Sequence, residues 1–158
     1  MIAPVQLLNS VIRPVLKGLE LWSEDAEKLV LGTACIESEC GLWIKQLQDG
    51  PGIGIYQMEA ATFNDIWTNF LDYRPELKLK VLKWVFDYEP AAEEMAGNLY
   101  YATAMCRVHY YRVKSAIPSY LAGQAAYWKE HYNTEKGAGT TVQYLNSWNR
   151  FVAPTIFV

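Results

Sequence analysis

Histidine, cysteine and clustered charge are scarce in this sequence, and each scarcity removes a class of function. There are two histidines. His109 and His131 do not have metal-ligand spacing, so neither a zinc site nor a Cys/His nucleophile is expected, and no cofactor is called for. The three cysteines, Cys35, Cys40 and Cys106, cannot all pair within one chain. Cys35 and Cys40 lie five apart on an expected helix and would point in different directions, so free, mostly buried thiols are the expected state. Fourteen Lys and Arg against seventeen Asp and Glu give a net charge of -3, and the basic residues are scattered. Nucleic acid is therefore not expected as a partner. No apolar run approaches the roughly 18 residues that cross a bilayer. The N-terminus, MIAPVQLLNSVIRPVLKG, lacks a leading basic segment and is interrupted by Asn9, Arg13 and Pro14, so no signal peptide is expected. Period-2 alternation, internal repeats and linkers are also missing.

What the chain does have is apolar residues at helical spacing. Its 158 residues are 51% apolar and 20% charged, enough for one mainly α domain with a sizeable core. We divide it into an N-terminal packing helix (1–22), a central region (23–114) and C-terminal helices (115–158). Val5, Leu8, Val11, Ile12, Val15, Leu16 and Leu19 repeat with helical period, and Pro14 should kink or split that helix. Ser23 followed by Glu24, Asp25 and Glu27 is a helix start, and Gly41 is its natural stop. Gly50-Pro51-Gly52-Ile53-Gly54 must be a turn or an extended loop, with at most a vestigial hairpin between Gly41 and Gln57. Helices are then expected over Thr62–Leu71, from Pro75 through Val85, from Pro90 through Val113, and over Ser119–His131. Asn133–Gly139 reads as a loop, and Thr140 caps a last helix.

One titratable group stands out. Glu37 sits about one turn before Gly41 on an otherwise apolar helix, beside Ile36, Leu42 and Trp43. The negative end of the helix dipole and the apolar neighbours both favour its protonated form. Alone, such a residue is more often a solvated edge residue or half of a buried ion pair. It is followed, however, by a polar-aromatic turn, Gly54-Ile55-Tyr56-Gln57. A protonated carboxyl facing a turn rich in hydrogen-bonding groups is what cleavage of a glycosidic bond needs. Glu39 faces away from Glu37, and Asp49 and Glu59 are not fixed in place by their surroundings. The sequence therefore offers one well-placed acid. Trp128, Tyr132 and Trp148 have the chemistry to stack on sugar rings, but packing is the simpler role.

Glu37-Ser38 in ACIESECG, followed by Gly54-Ile55-Tyr56-Gln57-Met58, resembles the Glu-Ser and Gly-Leu-Met-Gln pair of the soluble lytic transglycosylases. That family shares a lysozyme-like α fold with goose-type lysozymes. Asn98-Leu99-Tyr100-Tyr101-Ala102 resembles the family's third motif. GPGIGIYQMEAATFNDIW with the later AAYWKEHYNTEKGAGT is similar to small transglycosylase-like virion proteins of tailed bacteriophages. The resemblance runs from about Leu29 to Tyr101 for the enzymes and over nearly the whole chain for the phage proteins.

The resemblance implies a single-carboxylate cleavage of peptidoglycan between N-acetylmuramic acid and N-acetylglucosamine. Glu37 would be the catalytic acid and then base. Ser38 would orient it, Gly54, Tyr56, Gln57 and Asn98 would hold the glycan, and Tyr101 would hydrogen-bond the carboxylate. The implied partners are a glycan strand and other tail or baseplate proteins of a virion, acting at the host cell wall. A structural virion protein that keeps the fold without the activity is the alternative. Two departures stand against the pattern. Glu59 occupies the position two after Gln57 where the family usually has proline. Of the family's Ala-Tyr-Asn-Ala-Gly motif, expected on the far wall of the cleft, only Tyr127 carries over.

Overall fold

The computed structural model describes residues 1–47, 50–135 and 137–156, and about two thirds of the chain (66%) is helical. The N-terminal segment shows how local chemistry sets its shape. Pro4–Leu7 (α1) and Arg13–Gly18 (α2) are joined by a π-helical turn over Leu8–Ile12. Pro14 has no N–H to give to the carbonyl four residues back. The turn before it widens, and the Arg13 N–H reaches back five residues to the Leu8 carbonyl. The expected kink is thus absorbed as a change of hydrogen-bond register.

Helix α3 (Glu24–Ser38) starts where expected, with the Ser23 hydroxyl accepting the Ala26 N–H and three acids in the first turn. It ends three residues before Gly41. Glu39, Cys40 and Gly41 all take positive φ, at 50°, 54° and 82°. A left-handed non-glycine residue costs about 1 kcal/mol, and two in succession need compensation. Ser38 supplies it: its buried hydroxyl donates to the Ile55 carbonyl at 2.6 Å and accepts the Gly41 N–H at 2.9 Å. The chain folds back so tightly that the Cys40 N–H reaches the Ala34 carbonyl and the Cys40 thiol meets Cys35. The divergence expected of these two thiols held only for a continuing helix. All three cysteines are free and buried.

Gly52–Ile53 (β1) and Met58–Glu59 (β2) form an antiparallel hairpin with Gly52 opposite Glu59, and Lys45 bridges to Ile53. Gly54-Ile55-Tyr56-Gln57 is its turn. Gly54 has φ +74° and lies so close to the Met95 carbonyl that a side chain there would occupy the same space. Helix α4 (Ala60–Asn69) and helix α5 (Pro75–Leu82) follow.

The long helix expected from Pro90 is broken. A short 3-10 turn at Ala92–Ala96 stops at Gly97, and Asn98 starts α6 (Leu99–Tyr111) by accepting the Tyr101 N–H on its side chain. An Asn that caps is worth about 1 kcal/mol to the new start, and Gly97 removes the incentive to continue.

Helices α3 and α6 are buried nearly all round, which is why neither shows a clean apolar stripe. A hydrogen bond of 2.8 Å between Thr33 and Tyr110 joins them. Helices α7 (Leu121–Trp128) and α8 (Thr141–Phe151) pack on α3, with a π-helical segment Lys129–Asn133 continuing α7 and a short α9 (Ala153–Ile156) closing the chain. Thr140 and Gln143 cap α8 reciprocally. Gly32 is the contact point of α3 with α8, since a methyl group there would run into the Tyr144 ring. No helix among the described residues is long and apolar enough to cross a membrane.

Candidate functional site

A groove of about 640 Å³ runs past the C-terminal end of α3. Ile36 and Glu37 form its base, and Gln57, Met58 and Glu59 of the hairpin with Thr62 of α4 form one wall. The other wall comes from the last third of the chain: Trp128, Tyr132, Asn133, Gly137–Gly139 and Gln143. His109 reaches it from α6.

The loop that builds the second wall is held from within. Lys129 donates to the Asn133 side chain and to the Thr134 and Gly137 carbonyls, at 2.8 to 2.9 Å. The Tyr132 hydroxyl donates to the Tyr56 carbonyl at 2.8 Å, joining this wall to the hairpin turn. The groove is therefore clamped at its floor by backbone-directed hydrogen bonds and left open above.

Glu37 is partly buried at the base. The indole N–H of Trp128 donates to its Oε1 at 2.9 Å, and no basic residue forms an ion pair with it among the described residues. Burial pushes its carboxyl up to about 7, and the Trp128 bond pulls in the other direction without cancelling it. Because Oε1 is occupied as an acceptor, the proton of the neutral acid belongs on Oε2. His109, by contrast, is pushed down to about 4 by burial, and the nearby charges of Arg112 and His131 act the same way. Its Nε2 sits 2.8 Å from the His131 carbonyl and its Nδ1 3.2 Å from the Arg112 guanidinium. A neutral ring with the proton on Nε2 satisfies both contacts.

Of the eight residues singled out from the sequence, Glu37 and Gln57 line the groove. Gln57 has φ +48° and donates its side-chain amide to the Gly54 carbonyl at 2.7 Å. The others do not line it. Ser38 is buried and spent on the turn described above, with no bond to the Glu37 carboxyl. Tyr56 is buried and bonded through its hydroxyl to Thr103 at 2.9 Å. Gly54 faces Met95. Asn98 caps α6 and gives its amide to Trp84 and Glu94. None of these four lines the groove.

Two expectations need correction. Tyr101 does not bond to Glu37: its buried hydroxyl accepts the Trp67 indole N–H at 3.1 Å, because α6 turns that side chain toward α4. Tyr127 is not on the far wall. It points into a different cavity and donates to the Ser115 carbonyl at 3.0 Å. The next residue, Trp128, is the one that turns into the groove. Glu59 does line the groove, while Asp49 lies outside the described residues.

The sequence reading missed Trp128 as the partner of Glu37, 91 residues away. No local pattern marks such a pairing. The crowding of aromatic and amide groups in AAYWKEHYN, just ahead of a glycine-rich loop, was the available signal. Comparison with protein families, curated proteins and solved structures returns no match for this chain.

Proposed function

We propose that this chain cleaves the glycan strand of peptidoglycan, as a lytic transglycosylase with a lysozyme-like arrangement of helices. The observation that carries the reading is Glu37. It is a partly buried carboxyl at the base of an open groove, without a basic partner among the described residues, and burial pushes it up to about 7. That is the condition a general acid must meet to work near neutrality.

In this reading Glu37 gives its Oε2 proton to the glycosidic oxygen as the bond from that oxygen to the muramoyl C1 breaks. The sugar's acetamido oxygen shares the positive charge left at C1. Glu37, now a carboxylate, takes the proton from the muramoyl 6-hydroxyl as O6 bonds to C1 to close the anhydro ring, and it ends protonated again. Trp128 holds Oε1 through both states. The Gln57 side-chain oxygen and the Gln143 side-chain nitrogen, which the internal bonds of these residues leave over, would meet sugar hydroxyls in this reading. Work within a phage particle, against the host wall, is the setting that the sequence resemblance suggests.

One observation favours a hydrolytic variant. Glu59 supplies a second carboxylate to the groove, where it would activate a water molecule as inverting glycosidases do. A zymogram with purified cell wall tests the shared claim: wild type should clear the wall and Glu37→Gln should not. Equal clearing by both, or none by wild type, removes the enzymatic reading and leaves a structural protein. Mass spectrometry of the released fragments then separates anhydro from reducing ends.

A further inference from the structure

A second cavity, of about 360 Å³, opens between the start of α3, the end of α6 and the segment 113–118. Arg107 lines it. This arginine is 8% exposed, on a helix that is otherwise core. Its Nε donates to the Leu21 carbonyl at 2.9 Å, and its guanidinium stands 5.6 Å from the Tyr111 ring centroid. Neither contact supplies a negative charge. Its buried Nη1 has no hydrogen-bond partner, and no carboxylate forms an ion pair with it among the described residues. A buried cation with unused donors is costly unless an anion completes it. Arg13, which is far more exposed, has Glu27 at 2.7 Å, so the fold can pair an arginine where none is left for a ligand.

We infer that this cavity binds a small organic carboxylate with an apolar body, its carboxylate on Arg107. The rest of the lining fits that class. Ile117, Val113 and the tyrosine rings offer an apolar surface, and the hydroxyl of Ser23 offers a donor beside the anion. Asp25 also lines the cavity. A single guanidinium balances one negative charge, and the second charge of a phosphate dianion would be left uncompensated in a cavity that already holds Asp25. A carboxylate oxygen is a strong acceptor for a guanidinium N–H. Two sources carry this chemistry, a free small acid and the C-terminus of a peptide.

The test is binding to the full chain by isotope-edited NMR and by thermal shift. The probes are N-acetyl-leucine, its amide, inorganic phosphate, and the peptide acid N-acetyl-Ala-Ala-Leu. Both acids, or one of them, should shift resonances of α6 and of residues 113–118 at millimolar concentration or below, while the amide and phosphate bind at least tenfold more weakly. Stronger binding of the peptide acid identifies a chain end as the ligand, and stronger binding of N-acetyl-leucine identifies a free acid. Arg107→Met should abolish the response, and Arg107→Lys should keep a weakened one. Should Arg107→Met fail to fold, the acid against amide comparison on wild type and Arg107→Lys decides alone. No binding of either acid, or equal binding of acid and amide, overturns the proposal. Wall clearing in the zymogram does not depend on this cavity, so the two readings fail separately.

Discussion

Two glutamates ten positions apart on α3 meet opposite fates. Each accepts an indole N–H, Glu27 from Trp22 at 2.7 Å and Glu37 from Trp128 at 2.9 Å. Glu27 lies in the first turn, where the helix dipole favours a negative charge, and Arg13 clasps both of its oxygens at 2.7 and 2.8 Å. Burial pushes its carboxyl up, but the bonds from Arg13 and Trp22 and the charges of Arg13 and Lys17 outweigh it, leaving a net shift below the ordinary value. Glu37 lies in the last turn, where the dipole has the wrong sign for a carboxylate, and it has no cation to offset burial. The indole is common to both sites, so it is not what separates them. The difference comes from helix end and arginine, and it makes one carboxylate a structural anion and keeps the other protonated toward neutrality.

The largest expected effect comes from removing each carboxylate in turn. Glu37→Gln should lower wall clearing at least 10³-fold, by analogy with loss of an essential acid, and leave the fold intact. Glu27→Gln should spare activity per folded molecule and lower stability. The pH dependence of stability adds a second readout. A carboxyl raised from 4.5 to about 7 stabilises the fold most below pH 4.5, and that contribution is lost as pH rises to about 7. His109, lowered from 6.5 to about 4, acts oppositely: its contribution is present above pH 6.5 and is lost as pH falls toward 4. Between pH 4.5 and 6.5 the two slopes offset each other. Denaturant titrations of Glu37→Gln should therefore show stability rising with pH across that window, by up to about 1.4 kcal/mol per unit, where wild type is nearly flat.

Taking the arginine from Glu27 is next in size. Arg13→Met should destabilise by about 2 kcal/mol, less than the roughly 3 to 5 kcal/mol of a fully buried pair because the Arg13 side chain is 36% exposed. Chemical denaturation measures it, and the specific activity of the folded fraction should not move. The converse change brings a cation to Glu37. Thr62→Lys places an ammonium on the groove wall and should draw the Glu37 midpoint down by about 1 unit. Activity at pH 7 should then fall roughly fivefold, as the protonated fraction drops, with the optimum displaced to lower pH. Trp128→Phe should have the smallest effect. The lost N–H raises the Glu37 midpoint further, by less than about 1 unit, and activity falls a few-fold as the carboxyl loses its anchor.

The elements that punctuate the chain were readable in its sequence. Ser23, Pro75 and Thr140 start helices where their chemistry says they should, and the Gly-Pro-Gly-Ile-Gly run makes the hairpin. The break at Gly97-Asn98 carries a glycine stop and an asparagine cap in the sequence, but apolar spacing continues through it and masks both. Glu37 and Gln57 reached the groove because their neighbours in sequence fix them. Ser38, Tyr56 and Asn98 instead use their side-chain polar groups inside the fold, on a turn, on Thr103 and on a helix cap. The far wall was not readable. Trp128 reaches Glu37 only because α7 packs on α3, and whether Tyr127 or Trp128 turns inward depends on a helix rotation of about 100°, which no local signal sets.

The account rests on the Glu37 carboxyl staying protonated into the neutral range, and side-chain carboxyl ¹³C NMR of glutamate-labelled protein reads that state directly. The result predicted is one glutamate titrating near pH 7, missing from the spectrum of Glu37→Gln, with Glu27 titrating below the ordinary range. A Glu37 that titrates near 4.5 would contradict it.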